Sequence, residues 1–356
     1  MGKILMKGNE AIGEAGIRAG CLNYFAYPIT PQSEVAEYLS RRMPEVGGVF
    51  LQGESEVAVG YMLFGAAGCG ARVFTTSSSP GISLMSEAIS YISAAELPAV
   101  FVNIVRGGPG LGGILPSQAD YFQATKGGGH GDYRLLVLAP AGVQEAVDMV
   151  MMAFPLAEKY RNPVMILGDG LIGQMMEPVE FSDRFKSEPS NKDDWATNGM
   201  ATRNRKERNL VKSLFLDAEL LEEHNLVLKA KYDRMKQEEV RYEPYNIETD
   251  YRALIVSYGT MSRVCKTAID NMKAEGVEVA MIRPQTLFPF PIKPIRAAAA
   301  KDGCQVVISV ELSMGQMVED VDRSVQGKCP VHWHGKAGGE IPTPEEVVDV
   351  VKSFIK

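Results

Sequence analysis

Cysteine is sparse and scattered: Cys21, Cys69, Cys265, Cys304 and Cys329 include no CxxC pair, so the sequence carries no local ligand set for zinc or an iron–sulfur cluster. An odd cysteine count with no secretory leader argues against a secreted disulfide framework, and a reducing compartment, the cytoplasm, is expected. No apolar run reaches the length of a membrane span. Basic residues are in deficit, 37 against 44 acidic, and the net charge of −7 announces no strongly basic face for nucleic acid or an anionic membrane. Short repeats and low-complexity segments are also missing.

What is present is an ordinary globular composition, 46% hydrophobic and 23% charged, in a chain of 356 residues, long enough for two domains with cores of their own. Short apolar runs alternate with helical stretches over residues 1–180, the rhythm of βαβ units. The expected strands are Tyr24–Ile29, Val49–Gln52, Val73–Thr76, Ala99–Val105, Leu135–Ala139 and Val164–Leu167. They are almost wholly apolar, which predicts a parallel sheet covered on both faces. Helices are expected over Pro31–Arg42, with Thr30 as N-cap, and over Ser55–Gly68, Ile82–Ala95, Gln118–Lys126 and Val143–Arg161. Residues 181–250 read as a charged connector with one amphipathic helix, Asp217–Glu239, whose stripe is Leu220, Leu221, Val227 and Leu228. The βαβ rhythm resumes over 251–356 as a smaller α/β domain, interrupted by a proline-rich turn from Pro284 to Pro291.

In open α/β sheets, functional groups collect beyond the carboxyl ends of the strands. Four such loops stand out: Tyr27-Pro28-Ile29-Thr30-Pro31, Gly53-Glu54-Ser55-Glu56, Thr75-Thr76-Ser77-Ser78-Ser79-Pro80-Gly81, and Arg106-Gly107-Gly108-Pro109-Gly110. Each alone has a plain explanation, since Thr30 and Ser55 can cap helices, Glu54 and Glu56 can complement a helix dipole, and Arg106 can be a surface charge. Together they place hydroxyls, a carboxylate and a guanidinium on one rim, a complete set for an anionic substrate.

Four other patterns carry less. Gly108, Gly110 and Gly113 fit GxGxxG, but they follow the fourth strand, and Pro109 and Pro116 obstruct a helix, so a glycine lid beside Arg106 is expected instead of a dinucleotide site. Gly127-Gly128-Gly129-His130-Gly131 reads as a loop. His332 and His334 share a strand face without further ligands, and Gly168-Asp169-Gly170 resembles a diphosphate motif but reads as a strand end, despite Asn198 at a suitable distance.

As a set, the loops resemble the α-type subunit of 2-oxoacid:ferredoxin oxidoreductases. The matching segments are Lys7-Gly-Asn-Glu-Ala-Ile12, Tyr27-Pro-Ile-Thr-Pro31, Glu54-Ser-Glu56, Ser77-Ser-Ser-Pro-Gly-Ile-Ser-Leu84 and Arg106-Gly-Gly-Pro-Gly-Leu-Gly112, with Gly259-Thr260 and Arg283-Pro284 further on. Residues 107–133 look most like the branched-chain, 2-oxoisovalerate members. The resemblance implies an N-terminal parallel-sheet domain that binds the pyrimidine of thiamine diphosphate, and a C-terminal α/β domain like that of transketolases. It places Glu56 against the aminopyrimidine as the catalytic carboxylate, Pro28, Thr30, Ser77 or Ser78 beside the cofactor, and Arg106 with Thr30 on the substrate, where a planar guanidinium suits a carboxylate. Glu54, two positions away, competes with Glu56 on spacing alone.

The resemblance also implies what must come from elsewhere. A β-type subunit supplies the diphosphate and Mg2+ site, a ferredoxin-like subunit the iron–sulfur clusters, and a γ-type subunit the coenzyme A contacts; ferredoxin accepts the electrons. The expected reaction is the coenzyme A-dependent oxidative decarboxylation of a branched-chain 2-oxoacid. A 2-oxoglutarate enzyme is the near alternative, although a second substrate carboxylate needs a cation that no motif identifies. A non-catalytic assembly module is the distant one.

Overall fold

The structure, a computed structural model, describes residues 2–185, 187–199 and 207–355, so that 186 and 200–206 of the expected connector lie outside the described residues. The chain begins with β1 (Ile4–Lys7), α1 (Gly8–Arg18), β2 (Asn23–Ala26), α2 (Ser33–Glu45), β3 (Val49–Gln52), α3 (Glu56–Gly68), β4 (Phe74–Ser77) and α4 (Pro80–Ala94). There follow β5 (Val100–Val105), α5 (Tyr121–Lys126), β6 (Leu136–Leu138), α6 (Val143–Tyr160), β7 (Val164–Asp169), α7 (Gly170–Gln174) and β8 (Met176–Val179). The remainder holds α8 (Ala218–Glu238), β9 (Tyr242–Tyr245), β10 (Ala253–Val256), α9 (Met261–Ala274), β11 (Val279–Pro284), β12 (Thr286–Phe288), α10 (Ile292–Ala299), β13 (Val306–Glu311), α11 (Met317–Val325), β14 (Val331–Gly335) and α12 (Pro344–Phe354).

All six strands expected near the N-terminus exist and pair in parallel, in the order β6-β7-β5-β4-β2-β3. A seventh, β12, joins antiparallel to β6. It comes from the proline-rich segment expected to be only a turn, so the second half of the chain completes the sheet of the first. The second sheet runs β14-β13-β10-β11-β9, with β9 antiparallel to β11 at its edge; the C-terminal end of the expected connector therefore belongs to this sheet. A third, two-stranded sheet pairs β1 with β8, elements too short and too exposed to announce themselves by periodicity.

Side-chain alternation along β5 divides the core. Val100, Val102 and Ile104 face α1, α2 and α6 together with Phe74 and Phe154. Phe101 and Val105 face the other way into a cluster that continues through Leu254, Val256, Ala280 and Ile282 of the second sheet. One apolar core thus spans both sheets, and non-directional burial at roughly 1.5–3 kcal/mol per large side chain holds the two halves together. The strand β3 departs from the expectation of two covered faces: at the sheet edge, Val49 and Leu51 stay 49% and 46% exposed.

Directional contacts fix the docking. The Gln118 side chain donates to Tyr258 O at 2.9 Å and accepts from Leu312 N at 2.9 Å. Tyr121 and Lys126 of α5 bind the Asp320 carboxylate. Arg283 is buried and forks onto both oxygens of Glu145 at 2.8 Å while its Nε meets Glu243 at 2.6 Å. Within the first half, Arg72 forks onto Glu158 and Lys192 adds a third charge, which ties the 187–196 segment to the sheet.

The connector helix forms as α8 with Asp217 as its N-cap, accepting from Glu219 N and Leu220 N. The expected stripe is displaced. Leu220, Leu221 and Val227 are exposed, and the buried face is Leu228, Tyr232 and Met235. The spacing is still helical, but the sheet-side helices of the first half receive the next face round.

Candidate active site

The carboxyl ends of β2, β3, β4, β5 and β7 form one rim, and all four loops singled out by sequence sit on it. Ser55 caps α3, its Oγ accepting from Ala58 N at 3.2 Å, and this sets Glu56 in the first helical position. The two competing carboxylates separate cleanly. Glu54 is exposed, whereas Glu56 is buried at 7% exposure. Gly81 shows how close Glu56 comes to the serine loop. A Cβ built on it lies 2.1 Å from Ser77 Oγ, 2.9 Å from Glu56 Oε1 and 3.0 Å from Glu56 Cγ. Only a residue without a side chain lets α4 start between these two groups.

The hydroxyls of Thr75, Ser77 and Ser78 are buried with no hydrogen-bond partner among the described residues, as is Gln32 Nε2. Each such group costs roughly 1–3 kcal/mol if left dry and unpaired. Ser77, the one that meets the buried carboxylate at Gly81, fits a ligand that brings its own polar edge. Ser79 completes the loop: its N–H donates to Asn103 Oδ1 at 3.0 Å, and its Oγ accepts from Arg106 N at 3.1 Å. Asn103 in turn donates to Asp120 at 2.8 Å, and burial raises the Asp120 carboxyl above its usual range against bonds from Asn103 and Ser79.

Thr30 does not cap a helix as expected. Gln32 takes that place, α2 starts at Ser33, and the Thr30 carbonyl instead accepts from Arg106 Nη1 at 2.8 Å across the rim. The Thr30–Pro31 peptide is cis. Lys7, Asn9 and Gln174 brace this turn by converging on Glu34, and Asn9 and Gln174 also donate to Pro31 O. Burial alone would raise Glu34, but the bonds from Lys7, Gln174 and Asn9 outweigh it and hold the carboxyl at about 2.

Arg106 is 7% exposed and spans two loops, its Nη2 donating to Leu111 O at 3.1 Å in the glycine-rich segment; its Nε is buried without a partner among the described residues. Guanidinium has five N–H donors, so two carbonyl bonds leave capacity for a carboxylate. The segment folds back on itself, not into a helix. Gly113 N bonds Gly107 O at 2.8 Å, and a Cβ on Gly112, which sits at φ 61°, would meet that oxygen at 1.9 Å. Beside it a cleft of about 560 Å3 opens, lined by Thr30, Glu34, Glu37, Ile114, Leu115 and Leu171 among others.

The structure thus joins Glu56 to Ser77 through Gly81, and Thr30 to Arg106 through a direct bond, with Ser79 bridging the serine loop to Arg106. Ser78 is buried between them in sequence, and Pro28 stands exposed on the loop after β2. Sequence reasoning named Ser79 in the serine loop without giving it a role, and missed Gln32, Asn103 and Asp120. The one available signal was Asn103, a lone amide in the buried strand VFVNIV.

The Asp169 of Gly168-Asp169-Gly170 caps α7 through Oδ1, accepting from Leu171 N and Ile172 N, while Thr260 donates to Oδ2. Burial raises its pKa, partly opposed by these bonds. With one oxygen committed to the cap of α7 and the other to Thr260 of the second half, it does not suit a diphosphate-bound metal. Among the described residues no three His, Cys, Asp or Glu side chains gather as a metal site. His332 stacks on Phe354 at 4.0 Å, and burial lowers the His334 pKa. No helix is long and apolar enough to cross a membrane among the described residues.

Comparison with known proteins places the chain in a family. Residues 14–243 match the family described as pyruvate flavodoxin/ferredoxin oxidoreductase, thiamine diphosphate-binding, and residues 252–347 match pyruvate:ferredoxin oxidoreductase core domain II. The chain belongs to the 2-oxoacid:ferredoxin oxidoreductases, as an α-type subunit. Within that family it is 49% identical to ketoisovalerate oxidoreductase subunit VorB of Methanothermobacter marburgensis, over 98% of this chain and 97% of that one. It is 35% identical to 2-oxoglutarate synthase subunit KorA of Methanothermobacter thermautotrophicus, over 97% of each chain. A solved 2-oxoglutarate:ferredoxin oxidoreductase from Magnetococcus marinus, with 2-oxoglutarate, coenzyme A and succinyl-CoA bound, superposes with a TM-score of 0.84 at 28% identity. That match covers 99% of this chain and 65% of the other. A split-gene transketolase shares the fold, with a TM-score of 0.62 at 16% identity.

Proposed function

We propose that this chain supplies the pyrimidine-binding half of a cytoplasmic enzyme that oxidatively decarboxylates a branched-chain 2-oxoacid to an acyl-CoA and CO2, passing the electrons to ferredoxin. The observation that carries the reading is the buried Glu56 beside Ser77 on a rim that also holds Thr30 and Arg106. Similarity to VorB at 49% identity supports the substrate class.

When bound, thiamine diphosphate supplies the acidic carbon and the electron sink on which decarboxylation depends. Glu56 would share a proton between its carboxylate and a ring nitrogen of the bound aminopyrimidine, a task that suits a rigid, buried position such as the first turn of α3. The unpaired hydroxyls of Ser77 and Ser78 would offer hydrogen bonds to the polar edge of the same ring system. Pro28 and Thr30 form the wall of the β2 loop beside it, and Arg106 binds the substrate carboxylate with its remaining N–H groups.

Partners supply the rest. A β-type subunit carries the diphosphate and Mg2+, a ferredoxin-like subunit the clusters, and a γ-type subunit contacts coenzyme A. This division is supported by the commitment of Asp169 to α7 and Thr260 and by cysteines that do not gather in fours. A division of the chain near 180 and 250 is part of the same reading; family matches that end at 243 and restart at 252 support the second boundary, whereas the match over 14–243 runs through the first.

The test is turnover by the assembled enzyme with 2-oxoisovalerate, coenzyme A and a viologen acceptor. Glu56→Gln is expected to lower kcat by about 10²–10⁴-fold, the usual range for a lost acid–base group, with cofactor content unchanged. The exposed Glu54→Gln stays near wild type. Near-normal turnover by Glu56→Gln rejects the assignment.

A further inference from the structure

Between the serine loop and Arg106 runs a chain of polar groups on which the reaction described above makes no demand. Asn103, the polar residue in the apolar strand β5, is fully buried. Its Oδ1 accepts from Ser79 N at 3.0 Å, its Nδ2 donates to Asp120 Oδ2 at 2.8 Å, and Ser79 Oγ accepts from Arg106 N at 3.1 Å. The order of donors and acceptors is fixed from both ends. A backbone N–H only donates, so Ser79 requires the amide oxygen; an ionised carboxylate only accepts, so Asp120 requires the amide nitrogen. Without that acceptor the Asn103 amide is free to turn over and set its NH2 group against the Ser79 N–H. The bonds that favour the Asp120 carboxylate come from Asn103 and Ser79, with no cation among them, and a buried acid so held is costly to keep unless its hydrogen bonds matter.

Asp120 stands directly before α5 and is itself held from the other half of the chain. Gln316, just before α11, takes hold of the backbone on both sides of it: Nε2 donates to Ala119 O at 2.6 Å and Oε1 accepts from Phe122 N at 2.8 Å. Gln118 N and Ser117 Oγ both donate to Leu312 O, at 2.8 and 3.2 Å, and pin the same segment to the loop after β13. Resting on the function proposed above, we infer that Asp120 is a positioning residue for substrate binding: its carboxylate fixes the Asn103 amide, the amide fixes Ser79, and Ser79 fixes the backbone of Arg106, the residue that takes the substrate carboxylate. The second α/β half thereby sets the substrate site through Gln316. The relay ends on Arg106 and not on Glu56, so its loss weakens substrate binding while the chemical step is kept.

The experiment measures KM and kcat of the assembled enzyme for 2-oxoisovalerate at saturating coenzyme A, together with its thiamine diphosphate content. Asp120→Ala removes the acceptor, and Asn103→Asp sets two acceptors face to face. Each is expected to raise KM about tenfold, with kcat within about threefold of wild type and cofactor content unchanged. Exchanging the pair, Asn103→Asp with Asp120→Asn, is expected to bring KM back to within about threefold, because the carboxylate then accepts from the Ser79 N–H and from the amide opposite. Gln316→Ala leaves every member of the relay in place and is expected to raise KM about fourfold; it decides the matter if the single variants fail to assemble. A KM within about twofold of wild type in Asp120→Ala or Gln316→Ala, no recovery in the exchanged pair, or a fall in kcat at unchanged KM overturns the relay. Every 2-oxoacid carries the carboxylate that Arg106 takes. A wild-type enzyme that oxidises other 2-oxoacids but no branched-chain one therefore overturns the substrate class alone, and the same KM comparison on the accepted 2-oxoacid decides the relay. A wild-type enzyme that oxidises no 2-oxoacid overturns the function and this inference together.

Discussion

Replacing Gly81 with alanine perturbs the site without touching either group that it separates. The added Cβ would stand 2.1 Å from Ser77 Oγ, where ordinary contact begins at 3.4 Å, so Ser77 must move by more than an ångström. Glu56 Oε1 and Cγ, at 2.9 and 3.0 Å, must yield by a few tenths. Helix α4 itself gains, since alanine is the better helix former by about 1 kcal/mol. Overpacking costs about 1–3 kcal/mol, so the net loss of stability is at most about 2 kcal/mol and the fold survives. Catalysis is more sensitive, because a displacement of about 1 Å in a positioned group costs about 10²-fold in rate. Gly81→Ala is therefore expected to lower kcat about 100-fold in the assembled enzyme, with a small shift in melting temperature and normal thiamine diphosphate content. Ser77→Ala removes the atom that is struck, so adding Gly81→Ala to it costs much less than on the wild-type background. A kcat within about twofold of wild type, or strict additivity of the pair, refutes the steric coupling of Ser77 and Glu56.

Two further outcomes follow from buried charge. Glu158 would be raised by burial, but Arg72 and Lys192 outweigh this and hold it at about 2 against an ordinary 4.5. Because the folded value is depressed, the stabilisation is complete above the ordinary value and is lost as pH falls from there towards 2; it amounts to about 3 kcal/mol at neutral pH. Glu158→Gln is expected to lower the urea midpoint at pH 7, with the gap to wild type narrowing below about pH 4; a gap independent of pH contradicts the linkage. Arg283→Leu leaves Glu145 without its ion pair and Glu243 with Lys266 alone at the junction of the halves, and urea unfolding should show a loss of about 3 kcal/mol. Loss under about 1 kcal/mol would mean that the shared apolar core alone sets the docking.

The legible part of the fold was the part written in local pattern. Six parallel strands, the capped helix at Ser55 and the connector helix capped by Asp217 were readable because apolar runs, caps and 3.6-residue spacing are local signals. The strands β9 and β12 were not, since three or four residues acquire strand geometry only by pairing with β11 and β6. Thr30 was read as a cap from its place before Pro31, but the Arg106 guanidinium from a distant loop claims its carbonyl.

Composition and strand-end residues by themselves determined the βαβ class and the set of groups on the rim, because each rests on residue type and short spacing. The tertiary structure decided which carboxylate is buried, since Glu54 and Glu56 differ only in which side of the α3 N-terminus they occupy. It alone brought Cys304 beside Cys329, where burial pushes the Cys304 thiol up to about 12. It also alone placed Ile114, Leu115 and Leu171 around one cleft. Such proximities are set by how the chain returns across the rim, and residues remote in sequence carry no local mark of the neighbours that packing will give them.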